Sequence, residues 1–165
     1  MEEKKQEMQE YIDKAKILIE ALPFIKRFYD KTVVIKYGGS ALINPKIKET
    51  IIKDIALMKL VGMHPVIVHG GGPDINAFLN RINIESKFIN GLRVTDEDTM
   101  EVVEMVLAGK LNKSIVTDIE AQGVKAVGIS GKDGGIITAK KIEKDGIEYG
   151  CVGDIEKVDP SLIQS

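Results

Sequence analysis

The chain has 165 residues, of which 44% are hydrophobic and 29% charged, with a formal net charge of −2. That is one domain's worth of chain with enough apolar material for a sizeable core, and too much for a disordered segment. The near-neutral mix of both signs excludes the basic footprint of a nucleic-acid binder. One cysteine, Cys151, excludes an internal disulfide and fits a reducing cytoplasm. The stretch Met1 to Glu10 is too charged for a signal peptide. No apolar run approaches the roughly 18 residues of a membrane span.

The first predicted element is an amphipathic helix, with Met8, Tyr11, Ala15, Leu18 and Leu22 at three- and four-residue spacing and Pro23 as its expected end. Thr32 to Tyr37 is rich in β-branched residues and predicts a buried strand closed by Gly38-Gly39-Ser40. Asn44-Pro45 sets the start of a helix whose stripe is Ile47, Ile51, Ile55 and Met58, with Gly62 as terminator. Pro65 to His69 predicts a second strand, and Gly70-Gly71-Gly72-Pro73 leads into another helix. An extended stretch, Lys87 to Val94, follows.

Thr95-x-x-Asp98 resembles a capping box for a long helix that Gly109 kinks or divides. Lys125 to Ile129 predicts a third strand, and Ile136 to Val152 a hairpin turning at Asp145-Gly146. Alternating strands and helices predict a parallel α/β sheet. Asp159-Pro160 signals one more helix, yet the chain stops at Ser165, which reads as a piece of something longer.

In an open α/β sheet, ligands sit at the carboxyl ends of the strands, where both glycine clusters fall. Three glycines directly before a helix suit a phosphate or carboxylate, because bare backbone N–H groups and a helix N-terminus face the ligand. A tight turn needing positive φ is the alternative. The cluster matches neither GxGxxG nor the P-loop. Lys36, near the end of the first strand, either meets an anion beside Gly38 and Gly39 or snorkels to solvent. Arg93 can grip a carboxylate bidentately, but alone it reads as a surface arginine, and Asn112 as a helix-surface residue. His69 reads as a satisfied core histidine. Two histidines and one cysteine make no zinc set, and Asp133 and Asp154 suit turns and caps better than Mg²⁺.

Together, VIKYGGSA (34–41), PVIVHGGGP (65–73), NGLRVTD (90–96), MVLAGKLNK (105–113) and VGISGKDGG (127–135) resemble the N-acetylglutamate kinases of the amino-acid kinase family. The resemblance runs from about Leu22 onward. It implies an αβα sandwich with a mainly parallel sheet, the carbamate kinase-like fold, here truncated. It implies transfer of the ATP γ-phosphoryl, with Mg²⁺, to the side-chain carboxylate of N-acetyl-L-glutamate in arginine biosynthesis.

By the same resemblance, Lys36 is catalytic, Gly38 and Gly39 contact the nucleotide, and Gly71, Gly72 and Arg93 bind substrate. Residues 1–23 would form a helical extension and 24–165 the acetylglutamate-binding lobe. The partners implied are N-acetyl-L-glutamate and further copies of the chain, as a dimer or as a hexamer through the N-terminal helices, with no nucleic acid and no membrane. The chain departs from the family at its C-terminus, since the ATP lobe, a second lysine and its orienting aspartate are absent. Two alternatives stay open: a non-catalytic substrate-binding or assembly lobe, and a kinase for another acid such as carbamate or aspartate.

Overall fold

The structure is a computed structural model that describes residues 2–38, 44–144 and 146–165. Helix α1 (Glu2–Phe28) leads into strand β1 (Thr32–Tyr37), helix α2 (Pro45–Leu60) and strand β2 (His64–His69). Helix α3 (Gly72–Arg81) is followed by strands β3 (Lys87–Ile89) and β4 (Leu92–Val94). Helix α4 (Glu97–Glu104), a π-helical turn (Met105–Leu111) and helix α5 (Asn112–Glu120) run on without a break. Strands β5 (Ile137–Lys144) and β6 (Ile147–Val158) and a single turn, α6 (Ser161–Gln164), complete the chain.

The fold is mixed α/β, and β1 and β2 pair in parallel with Lys36 opposite Val68 and Tyr37 opposite His69. Period-2 alternation turns Ile35 and Tyr37 toward one face, where they meet Ile52, Ile55 and Ala56 of α2 and Ile115 and Ile119 of α5. A second cluster joins Ile75 and Leu79 of α3 to Val102 and Val106. Tyr37 and Leu79 are almost fully buried, and each such side chain contributes about 1.5–3 kcal/mol by leaving water.

Several expectations change. Strand β1 is not buried on both faces, because Val34 is 67% exposed, and Val68, on the same face of β2, is 54% exposed. Helix α1 does not stop at Pro23 but continues to Phe28. Its end is anchored, since the Asp30 amide donates to the Gly62 carbonyl at 2.7 Å and the Tyr29 ring lies over Gly62. That anchorage offsets the one backbone bond a proline removes. The predicted stripe on α1 faces solvent, with Leu18 71% exposed.

Residues 125–129 form no ladder. Two of their carbonyls meet side chains of α5: Asn112 Nδ2 donates to Ile129 at 3.1 Å and Lys113 Nζ to Gly128 at 2.8 Å. Asn112 is therefore buried rather than on a helix surface. The cap of α4 is Asp96, whose Oδ1 accepts from the Thr99 amide at 2.8 Å, not a Thr95–Asp98 box.

Other expectations hold. The hairpin of β5 and β6 forms, although Asp145 in its turn lies outside the described residues. Asn44 caps α2, and Asp159 Oδ1 accepts from the Ser161 amide at 3.0 Å. No helix among the described residues is long and apolar enough to cross a membrane.

Hydrogen bonds from the Thr99 hydroxyl and amide hold the Asp96 carboxyl below its ordinary pKa. A depressed folded-state value means stability that is present above the unfolded value of about 3.9 and is lost as pH falls through the folded one. Asp96→Asn keeps the cap without the charge, so its melting temperature should vary less below about pH 4 than the parent's, as followed by circular dichroism.

Candidate functional site

The carboxyl ends of β1 and β2 lie side by side, and the Gly70 amide donates to the Tyr37 carbonyl at 3.4 Å. The first glycine cluster and the triple glycine therefore leave the sheet from adjacent strands. Gly38 is half-buried, while Gly39 lies outside the described residues. Lys36 is exposed one residue before the end of β1, and no ion pair to it is formed among the described residues.

Gly71 is buried and caps α3, and a Cβ there would run into Leu111 and Leu107 of the π-helical turn. A side chain there would have to push the tips of both leucines aside. Gly72 opens α3 and meets open space on its side-chain position, so its backbone is approachable. Asp74 in the first turn is paired with Lys110 at 2.8 Å, which offsets its charge near the helix N-terminus. His69 Nδ1 lies 2.9 Å from the Gly70 carbonyl and donates to it, but the residue is half-buried at the strand end rather than in the core.

Arg93 arrives from β4 and is tied to the same helix. Its Nη2 donates to Asn76 Oδ1 and its Nη1 to Ser86 Oγ, both at 2.7 Å. Its guanidinium stands 4.6 Å from the centre of the Phe88 ring. Burial pulls the Arg93 pKa down, yet a guanidinium keeps its charge. No carboxylate pairs with it among the described residues. Asn76 and Ser86 escaped sequence reasoning, because neither sits in a motif and only the fold brings them together.

The hairpin carrying Arg93 turns at Asn90 and Gly91, both at positive φ. It is fastened by Asn90 Nδ2 donating to the Tyr149 hydroxyl at 3.2 Å. Thr95 exchanges backbone bonds with Tyr149 and Cys151. Gly150 between them has φ 72, and a Cβ on it would strike the Thr95 carbonyl.

Asp133 serves a turn, accepting from the Ser130 amide and hydroxyl at 2.6 and 2.9 Å, bonds that lower its pKa. Among the described residues no group of three His, Cys, Asp or Glu side chains could hold a metal ion. A cavity of about 480 Å³ opens between β2, α5 and residues 124–129, lined largely by isoleucine and valine. Neither Lys36 nor Arg93 lines it. Gly71 and Gly72 do not line it either, so the cavity is separate from the substrate-binding residues that the resemblance implies.

Residues 31–165 match the model of the amino acid kinase family. The chain belongs to the amino acid kinase family. Within that family it is 58% identical to the acetylglutamate kinase of Carboxydothermus hydrogenoformans over 164 residues, covering 94% of this chain and 56% of the relative. The acetylglutamate kinase of Heliobacterium modesticaldum is also 58% identical, over 93% of this chain and 55% of its own length. The chain thus spans about half the length of the curated relatives it matches.

Among solved structures, a Streptococcus mutans UA159 protein superposes with a TM-score of 0.70 at 31% identity, over 81% of this chain and 53% of its own. An N-acetylglutamate synthase from Neisseria gonorrhoeae, complexed with coenzyme A and N-acetyl-glutamate, superposes at 0.71. It covers 89% of this chain and 33% of its own, and at 24% identity it bears on the fold alone.

Two glycine positions give direct tests of this packing. Gly71→Ala should destabilise the domain by about 1–3 kcal/mol through overpacking, and Leu111→Ala in the same chain should return part of that. Gly150→Ala should destabilise by about 2 kcal/mol, because both φ and the Thr95 carbonyl oppose a side chain. Urea unfolding of the four chains, parent included, measures each value.

Proposed function

We propose that this chain is the acetylglutamate-binding part of an acetylglutamate kinase, the activity that its relatives' names carry. The reaction moves the γ-phosphoryl of ATP onto the side-chain carboxylate of N-acetyl-L-glutamate. An oxygen of that carboxylate forms a bond to the γ-phosphorus, the bond to the β,γ-bridging oxygen breaks, and ADP leaves. The observation that carries the proposal is Arg93: a half-buried guanidinium held by two neutral oxygens beside a glycine-opened helix N-terminus.

In this reading Arg93 binds the α-carboxylate of acetylglutamate, a group its planar fork matches. The backbone N–H groups of Gly71 and Gly72 face the reacting end, where the helix N-terminus favours negative charge. Lys36, exposed at the end of β1, supplies positive charge to the phosphoryl as it transfers, with Gly38 and Gly39 along the nucleotide phosphates. Magnesium would come with the nucleotide, since the described residues gather no carboxylate cluster for it. We assign turnover to a chain of the relatives' full length, and substrate affinity to this half of it.

We further propose that residues 1–23 act as an extension that joins copies of the chain, in the cytoplasm. Met8, Tyr11, Leu18 and Leu22 recur at helical spacing on α1 and all are exposed, an apolar stripe that a second helix would cover.

Isothermal titration with N-acetyl-L-glutamate tests the substrate assignment. The parent chain should bind, and Arg93→Ala should weaken binding at least about tenfold, the loss of a charge-assisted bidentate contact. Binding that survives Arg93→Ala unchanged would point to another acid substrate. In the full-length enzyme, Lys36→Ala should lower kcat far more than it raises KM, and equal changes in both would exclude the transition-state role. Leu18→Glu should shift the mass seen by light scattering toward the monomer if α1 joins copies.

A further inference from the structure

The partners of Arg93 are unusual for a half-buried guanidinium, which most often pairs with a carboxylate. Here Nη1 and Nη2 each donate one bond, to Ser86 Oγ and Asn76 Oδ1, and Ser86 Oγ in turn donates to Asn76 Oδ1 at 3.2 Å. A guanidinium carries five N–H groups, so three remain after these two bonds, enough for a bidentate contact. Phe88 covers one face of the plane. Asn76 is the fifth residue of α3, and Ser86 precedes β3. The triangle therefore ties the helix that leaves the triple glycine to the hairpin that carries the arginine.

We propose that Asn76 and Ser86 are positioning residues that aim Arg93 at a substrate carboxylate through neutral acceptors, so that its charge stays uncompensated for the ligand. The proposal rests on the reading of Arg93 given above and deepens it. An acidic side chain at either position would hold the arginine as firmly but would neutralise it and repel an anionic ligand. The neutral triangle separates holding the cation from cancelling it.

The experiment compares N-acetyl-L-glutamate affinity by isothermal titration for the parent chain, Asn76→Asp, Asn76→Ala, Ser86→Ala, Ser86→Thr and Arg93→Ala, with melting temperatures for each. Asn76→Asp has nearly the same shape and keeps an acceptor oxygen beside Nη2. It should weaken binding by at least about tenfold without lowering the melting temperature, and Asn76→Ala should weaken it less. Ser86→Ala should lose a few-fold, and Ser86→Thr, which keeps the hydroxyl, should recover it.

A merely structural role gives the opposite order, with Asn76→Asp close to the parent and Asn76→Ala the weaker. That order, or parent-like affinity in both Asn76 variants while Arg93→Ala binds poorly, overturns the positioning role and leaves the Arg93 assignment standing. Parent-like binding by Arg93→Ala, or no binding by the parent chain, overturns both.

Discussion

Thr95 and Gly150 meet backbone to backbone, with the Thr95 amide donating to the Tyr149 carbonyl at 3.0 Å and the Cys151 amide donating back to Thr95 at 2.6 Å. This contact joins segments more than fifty residues apart and sets where the short β3–β4 hairpin stands. A three-residue strand pair has little stability of its own. Without the clasp to β6, Arg93 would ride on a loop, and its distances to Asn76 and Ser86 would not persist. Gly150 allows the approach, because any side chain there would occupy the position of the Thr95 carbonyl.

From that anchor the electrostatics of the site follow. An acidic side chain on each of α3 and α4 is paired off. Asp74 is satisfied by Lys110, and Glu104 by Lys132 at 2.8 Å. Both pairs are partly exposed, so each contributes little to stability. The Lys110 pair offsets the Asp74 charge in the first turn of α3. Arg93 and Lys36 are left without a carboxylate partner among the described residues, one half-buried and the other exposed at a strand end.

The sheet itself is covered on one side. Tyr37, Ile35 and Ile67 pack on α2 and α5, while Val34 and Val68 stand exposed on the other face. Exposed β-branched residues at the centre of a parallel pair are costly in water, at roughly 25 cal/mol per Å² left uncovered. The relatives are longer than this chain, which spans about half their length. The inner face is enough to hold β1 and β2 in register and so to bring their two glycine ends together.

Local chemistry alone determined much of the outline. Asn44-Pro45 marked a helix start and Asp145-Gly146 a hairpin turn, because caps and turns act within a few residues of themselves. The glycine run before α3 was legible as a backbone that a ligand can approach, while Lys36 and Arg93 had a surface reading as well as an anion-binding one. Where tertiary contacts outweighed local preference, sequence reasoning failed. Anchorage at Gly62 carried α1 past Pro23, and Asn112 and Lys113 took two of the carbonyls that a third strand would have used. Only the folded chain could bring Asn76, Ser86 and Arg93 together, because a hydrogen bond between residues 17 apart depends on how a helix and a hairpin are packed, and no local pattern encodes that distance.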